Sequence, residues 1–269
     1  MKAWIIKDIA PMKVEAKWDC ERADEVLFGM PIEILSQEMG DWYKIKTHYR
    51  YEGMMHSSQF LVEELCSEKW LQGKKKMIIK SNADIVAEPK VQGAFIAELP
   101  RGSWIVTTDE LVEERWQRVV LPNGTEGFTR IENIMETPEP AEDVEDLRQA
   151  LVQAAELYQG AQYRWGGKTT RGLDCSGLCS MAYMLSGILI YRDAKIVEGF
   201  PLVEIPKDEI KKGDLLFFPG HVAMYIGDDE YIHSSSGLNG VGYNSLNPQA
   251  ENFNEYLFNN FTMAASIFR

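Results

Sequence analysis

No stretch of the sequence is apolar for long enough to cross a bilayer as a helix. The longest, roughly Met181 to Tyr191, is interrupted by Ser186 and Gly187 and falls well short of the ~20 residues such a helix needs. The N-terminus holds only the apolar run Ala3 to Ile6 between Lys2 and Lys7. A secretory h-region has ~7–15 such residues, and no cleavage site of the A-x-A type stands behind this one. Cysteine is scarce: Cys20, Cys66, Cys175 and Cys179 are scattered and form no disulfide framework. A cytoplasmic protein is the expectation.

Positive charge is also short. Lys and Arg number 28 against 41 Asp and Glu, a net charge of −13. Such an excess repels phosphate backbones and anionic surfaces, which argues against nucleic-acid and membrane partners. With 11 prolines, 21 glycines and 45% hydrophobic residues, the chain is neither disordered nor collagen-like. Its 269 residues suit one large domain or two to three small ones.

What is present is a repeat. Gly29-Met-Pro-Ile-Glu-Ile-Leu lies over Gly102-Ser-Trp-Ile-Val-Thr-Thr, and Asp41-Trp42-Tyr-Lys-Ile-Lys over Arg115-Trp116-Gln-Arg-Val-Val. Glu52-Gly53 then matches Glu126-Gly127. Trp42 and Trp116 stand 74 residues apart, as do Gly53 and Gly127, and the leading glycines 73 apart. Each unit reads as five or six short alternating strands separated by turn residues, the pattern of a small β barrel. Two tandem barrels are expected, over residues 1–67 and 68–137.

The segment 138–144, with Pro138, Pro140 and a run of acids, reads as a linker that leads into a helix. Val144, Leu147, Leu151, Ala154 and Tyr158 recur at helical spacing. Asp143 is the expected N-cap and Gly160 the stop. A third domain is expected over 145–269.

The chemistry-bearing residues fall in that third domain. Asp174-Cys175-Ser176-Gly177 precedes Leu178, Met181, Ala182 and Leu185 at helical spacing, so Cys175 is expected at a helix start. Unpaired N–H groups and the positive end of the dipole there favour thiolate and can hold an oxyanion. A base is then required. His221 opens a strand-like run, Gly227-Asp228-Asp229 turns the chain, and His233 ends the return run. If those three residues form the turn, the two imidazoles become diagonal neighbours on one face, with His221 as base and His233 as its orienter. A one-residue slip would separate them. A zinc site from Cys175, Cys179, His221 and His233 is the alternative, but eleven residues between the histidines fit a structural site poorly. Cys179, one turn behind Cys175, is expected in the core, and no metal or cofactor is expected.

Tyr163-Arg-Trp165-Gly166-Gly167, Leu173-Asp174-Cys175-Ser176-Gly177-Leu178, Gly213-Asp214, His221-Val-Ala-Met-Tyr-Ile-Gly-Asp and Tyr231-Ile-His233-Ser together resemble the NlpC family of papain-like cysteine peptidases. The resemblance covers roughly residues 145–269, with the motifs in the family's order. It implies an α+β catalytic domain, a helical half packed on an antiparallel sheet, with Cys175 as nucleophile, His221 as base, His233 as the orienting residue and Tyr163 near the oxyanion. The two repeats resemble bacterial SH3-like domains, so the fold class expected is a papain-like domain preceded by two small all-β SH3-like barrels.

This combination is similar to the γ-D-glutamyl-L-diamino-acid endopeptidases of cell-wall recycling. The resemblance implies a monomer that acts on murein stem peptides with a free N-terminal L-Ala and releases L-Ala-D-Glu. It further implies Asp174 as ligand of the substrate amine, Ser176 in the pocket, and an acid and a tyrosine from the first barrel, for which Glu25 and Tyr51 are the candidates. Asp174 is equally suited to cap the helix at Cys175, and the two roles are compatible. Tyr51 also fits an ordinary strand position. One departure stands out: Ile190-Tyr191-Arg192-Asp193 is followed by Ala-Lys-Ile-Val-Glu-Gly where many members carry a Gln, which leaves that pocket edge open. A murein amidase or acyltransferase with the same triad, or a non-catalytic wall-peptide binder, are the other readings.

Overall fold

The computed structural model describes residues 1–268, apart from the side chain of Glu110. The chain forms two compact units, Met1–Thr137 and Pro138 onward.

The first unit carries the repeat. Strands β1 (Lys2–Ile5), β2 (Ile9–Lys13), β3 (Arg22–Leu27), β4 (Pro31–Met39), β5 (Trp42–Thr47), β6 (Glu52–His56) and β7 (Phe60–Val62) form one sheet. A short helix, α1 (Glu68–Gln72), follows. Strands β8 (Lys75–Ile78), β9 (Asn82–Val86), β10 (Phe95–Pro100), β11 (Trp104–Val112), β12 (Trp116–Val120), β13 (Glu126–Arg130) and β14 (Ile134–Glu136) form the second. The spatial orders are β3-β2-β6-β5-β4-β1-β7 and β10-β9-β13-β12-β11-β8-β14, so every strand has its counterpart seven strands later. There are seven strands in each sheet where five or six were expected. The flanking strands β1, β7, β8 and β14 are only three or four residues long, too short to display an alternation.

The sequence anchors occupy matching places. Trp42 and Trp116 open β5 and β12 and are both buried. A Cβ on Gly53 would lie 2.7 Å from Met12 Cγ of β2, and one on Gly127 would lie 2.7 Å from Ile85 Cγ2 of β9. Both glycines are therefore needed because a core side chain of the equivalent neighbouring strand already fills the space. The halves are not independent. Phe28 packs with Ile78, Ile85, Leu99 and Ile105 of the second half, its carbonyl accepts from Trp104 N at 2.8 Å, and Trp4 meets Trp70 of α1 edge-on at 5.5 Å. The two domains expected over 1–67 and 68–137 thus lie within the one compact unit Met1–Thr137.

The second unit begins with α2 (Val144–Glu156). Asp143 caps it as expected, accepting from Glu145 N and Asp146 N at 2.8 and 3.0 Å. The helix ends four residues before Gly160, because Tyr158 N and Gln159 N bond three residues back, to Ala155 and Glu156, a tightening common at helix ends. A two-stranded ribbon, β15 (Lys168–Thr169) and β16 (Gly172–Leu173), leads into α3 (Cys175–Leu185). The rest is β17 (Val203–Ile205), β18 (Leu215–Phe218), β19 (His221–Gly227), β20 (Glu230–Ser235), β21 (Gly240–Ser245), α4 (Glu255–Asn259) and β22 (Met263–Ser266).

Six of these strands make an antiparallel sheet, in the order β17-β22-β18-β19-β20-β21. All eleven residues of α3 are buried, and the helix lies against α2 and against β19 and β20. A buried ion pair ties α2 to the sheet: Arg148 donates to Asp214 Oδ1 at 3.0 Å, and the same oxygen accepts from Ser266 Oγ at 2.6 Å. The α+β domain preceded by two small all-β halves is the fold class expected.

Candidate active site

Cys175 is the first residue of α3, with Asp174 as N-cap. The Asp174 carboxylate is nearly saturated. Oδ1 accepts from Gly177 N at 2.6 Å and from Ser176 Oγ at 3.3 Å, and Oδ2 accepts from Gly166 N at 2.7 Å. Arg192 then straddles both oxygens, Nη1 to Oδ1 and Nη2 to Oδ2, each at 3.1 Å. The same guanidinium donates to Ser176 Oγ at 2.7 Å and to the Gly167 carbonyl at 3.2 Å. Arg192 is 1% exposed and Asp174 6%, so this is a buried, bidentate, charge-assisted clamp on the first turn of α3. The capping role of Asp174 is observed. The Ser176 hydroxyl is engaged in the clamp.

Glycine is required beside the clamp. A Cβ on Gly177 would lie 2.1 Å from the Gly167 carbonyl oxygen, and one on Gly167 2.3 Å from that of Gly172. The start of α3, the 166–167 turn and the β15–β16 ribbon therefore touch backbone to backbone.

The histidines come together on the sheet. In β19 and β20 Met224 faces Ile232 and Tyr225 faces Tyr231, but the next pair is Gly227 and Glu230. Ile226 is an extra residue, a β-bulge. Asp228 and Asp229 alone make the turn, both at positive φ, 52° and 60°, as the two-residue hairpin requires. The expected three-residue turn is thus a two-residue turn plus a one-residue bulge, with the same net register. His221 and His233 lie diagonally on one face, His221 Nε2 at 2.8 Å from His233 Nδ1. His233 Nε2 in turn is 3.0 Å from Asn244 Oδ1. Asn244 is on β21, two residues beyond Gly242, the residue opposite His233.

The sulfur meets this array. The backbone amides of Val222, next to His221, and of Ser176 donate towards the Cys175 sulfur. Burial nevertheless pushes the thiol up to about 11, with the Asp174 charge adding to the rise. Burial also holds His221 and His233 down at about 4. This corrects the expectation of a resting thiolate: the helix start favours it, but desolvation outweighs that effect. The resting pair is a neutral thiol and a neutral imidazole, suited to passing the proton as the sulfur attacks. Tyr163 is half-buried, and burial together with the charges of Cys175 and Asp174 pushes its phenol to about 12. It stays protonated and can donate to an anion forming near the sulfur. Cys179 is 1% exposed and lies in the core, as expected.

In the first unit, Glu25 is buried and accepts from Arg22 at 2.8 Å. Tyr51 is half-buried, and its backbone N–H donates to Thr47 Oγ1 at 3.0 Å. Next to them, Tyr49 donates to Asp24 Oδ2 at 2.6 Å, with both residues buried.

Arg192 and Asn244 are the two site residues that residue spacing did not single out. Arg192 lies in an irregular segment that no periodicity marks. Asn244 becomes visible only once β21 is paired with β20.

Residues 160–259 match the model of the NlpC/P60 family. Over its whole length the chain is 41% identical to the whole of dipeptidyl-peptidase 6 of Lysinibacillus sphaericus. It is 27% identical to the γ-D-glutamyl-L-lysine dipeptidyl-peptidase of Bacillus cereus, over 83% of this chain and 70% of that one. Among solved structures, an NlpC/P60 family protein from Bacillus cereus superposes with a TM-score of 0.82 over the full length of both chains, at 22% identity.

Proposed function

The chain belongs to the NlpC/P60 family, and from that premise we propose that it is a cysteine peptidase hydrolysing the bond between γ-D-Glu and the diamino acid of murein peptides. The observation that carries the chemistry is the His221–His233 contact on the strand whose Val222 amide reaches the Cys175 sulfur. The observation that carries the substrate class is full-length similarity to a chain named dipeptidyl-peptidase 6.

The mechanism is covalent acyl transfer. Cys175 Sγ attacks the γ-glutamyl carbonyl while its proton passes to His221. Backbone N–H groups at the start of α3 and the Tyr163 hydroxyl hold the oxyanion. His221 then protonates the leaving amine, and afterwards takes a proton from the water that releases the acyl group. His233 holds His221 in place through the 2.8 Å contact. All four cysteines are free thiols, in keeping with a reducing compartment and a role in recycling wall peptides inside the cell.

Recognition of a free N-terminal amine is part of the proposal. For Asp174 to take the substrate ammonium, the ion must compete with Arg192, which already neutralises the carboxylate. Cleavage of L-Ala-γ-D-Glu-L-Lys, its diaminopimelate counterpart and their N-acetylated forms, followed by mass spectrometry, tests the assignment. Release of L-Ala-D-Glu from the free-amine peptides alone is expected. Equal cleavage of the acetylated peptides would remove the amine-binding role. Release of a free lactyl-sugar from intact muropeptides would point to an amidase, and unchanged substrates to a binding protein.

A further inference from the structure

We infer that Asn244, held by the backbone carbonyl of Asn252, is a positioning residue that sets the tautomers of both histidines and leaves the lone pair of the pair on His221 Nδ1. The inference rests on the reading of His221 as a base, but its geometry is independent of any substrate.

The chain of hydrogen bonds has only one consistent direction. Asn244 Nδ2 is 2.7 Å from the Asn252 carbonyl oxygen. A backbone carbonyl accepts and never donates, so the amide must point its nitrogen there. Turning the amide over would set two acceptors against each other at that distance. The Asn252 carbonyl is itself fixed, since Ser245 N also donates to it at 3.2 Å. Asn244 Oδ1 therefore faces His233, with Asn254 Nδ2 as a second, longer donor at 3.5 Å.

An amide oxygen at 3.0 Å from His233 Nε2 requires a proton on that nitrogen. A neutral imidazole with Nε2–H has a bare Nδ1. His233 Nδ1 is then an acceptor, and the 2.8 Å contact requires His221 Nε2 to donate to it. His221 is left with its proton on Nε2 and its lone pair on Nδ1, the only ring nitrogen of the pair without an assigned partner in this array. When His221 Nδ1 takes up a proton, every other hydrogen bond in the chain keeps its direction. No rearrangement accompanies the transfer.

The site is also dry enough for one tautomer to dominate. His233 is 1% exposed and Asn244 8%, so water cannot easily replace the amide as acceptor, and an unsatisfied His233 N–H would carry its full desolvation cost. Outer hydrogen-bond partners that orient metal-ligating histidines are typically worth roughly 10- to 100-fold in affinity or activity, and a buried catalytic pair is expected to depend on its partner to a similar degree.

The test uses the full chain labelled with ¹⁵N-histidine and long-range ¹H–¹⁵N correlation spectra at neutral pH, assigned with His221→Asn and His233→Asn. Both rings are expected to show a protonated Nε2 and a bare Nδ1 in the wild type. In Asn244→Asp the acid, held neutral with its O–H donating to the Asn252 carbonyl as the amide nitrogen did, still accepts from His233 through its other oxygen, so both tautomers are expected to persist with substantial kcat. In Asn244→Leu the His233 acceptor is gone; mixed tautomers and a roughly 10- to 100-fold loss in kcat with little change in KM are expected. A wild-type His221 protonated on Nδ1 would overturn the inference, as would Asn244→Leu with unchanged tautomers. The wild-type spectrum and the Asp variant decide the matter even if the Leu variant fails to fold. Because the spectra need no peptide, absence of peptidase activity in the wild type would count against the proposed function and leave the tautomer result standing.

Discussion

His221 Nε2 lies 2.8 Å from His233 Nδ1 because one residue, Ile226, bulges out of the strand between Tyr225 and Gly227. With the same two-residue turn and no bulge, His233 would stand opposite Met224, and His221 would point to the other face. Bulges next to functional sites re-aim side chains in this way. Deleting Ile226 removes the extra residue and leaves Tyr225 opposite Tyr231 next to the Gly227–Glu230 pair, so the histidines keep their register and peptide cleavage is expected to persist, as it is in Ile226→Val. Loss of cleavage in a deletion variant that folds as the wild type does would contradict this.

The dry histidine pair predicts an unusual pH profile. Burial lowers His221 from the ordinary 6.5 to about 4, so its basic form is available at all pH values above that. Activity is lost only as pH falls through about 4, and kcat/KM is expected to stay level from about pH 5 to 7. On the alkaline side, the α-amine of the substrate, near ~8, is expected to set a limb in kcat/KM that kcat does not share. An acid limb centred near 6.5 would show that the pair is solvated in the working enzyme.

The clamp of Arg192 on Asp174 predicts a stability effect. Arg192→Met strands a buried carboxylate, which costs about 3–5 kcal/mol when one partner of such a pair is removed. A fall in Tm on the order of 10 °C is expected. Arg192→Lys loses the fork and keeps the charge, so a smaller fall is expected. Combining Arg192→Met with Asp174→Asn should recover part of the loss. Calorimetry that found Arg192→Met as stable as the wild type would contradict the account.

Gly177→Ala places a methyl group 2.1 Å from the Gly167 carbonyl oxygen. The clashing oxygen belongs to the backbone, and the Asp174 carboxylate crowds the same methyl at 3.0 Å, so the first turn of α3 must move, and Cys175 with it. Loss of activity with lowered stability is expected, measured by kcat and Tm together. An alanine variant with wild-type values for both would show that the contact is looser than described.

Much of this was legible in residue types at fixed spacings. Asp143 and Asp174 could be read as caps because an acid just before an apolar helical pattern satisfies orphan N–H groups. The repeat was legible through Trp42, Trp116, Gly53 and Gly127, each pair of which meets an equivalent neighbour. The bulge at Ile226 was not, since one extra residue in a strand leaves no trace in composition, and the register came out right because turn and bulge together count three. Arg192 and Asn244 were invisible for a related reason: each reaches its partner across a long stretch of chain, 18 residues to Asp174 and 11 to His233. The resting state of Cys175 also could not be read, because local helix-start chemistry favours thiolate while burial, a tertiary property, opposes it.

The central claim is that Cys175 and His221 carry out acyl transfer on the γ-glutamyl bond. The most direct measurement is kcat/KM for L-Ala-γ-D-Glu-L-Lys with wild type, Cys175→Ala and His221→Ala, each checked for wild-type folding by circular dichroism. The account predicts L-Ala-D-Glu release by the wild type and a loss of at least roughly 10⁴-fold in either variant, since members of such a unit act together. Folded Cys175→Ala that still released the dipeptide at a rate near the wild type would contradict it.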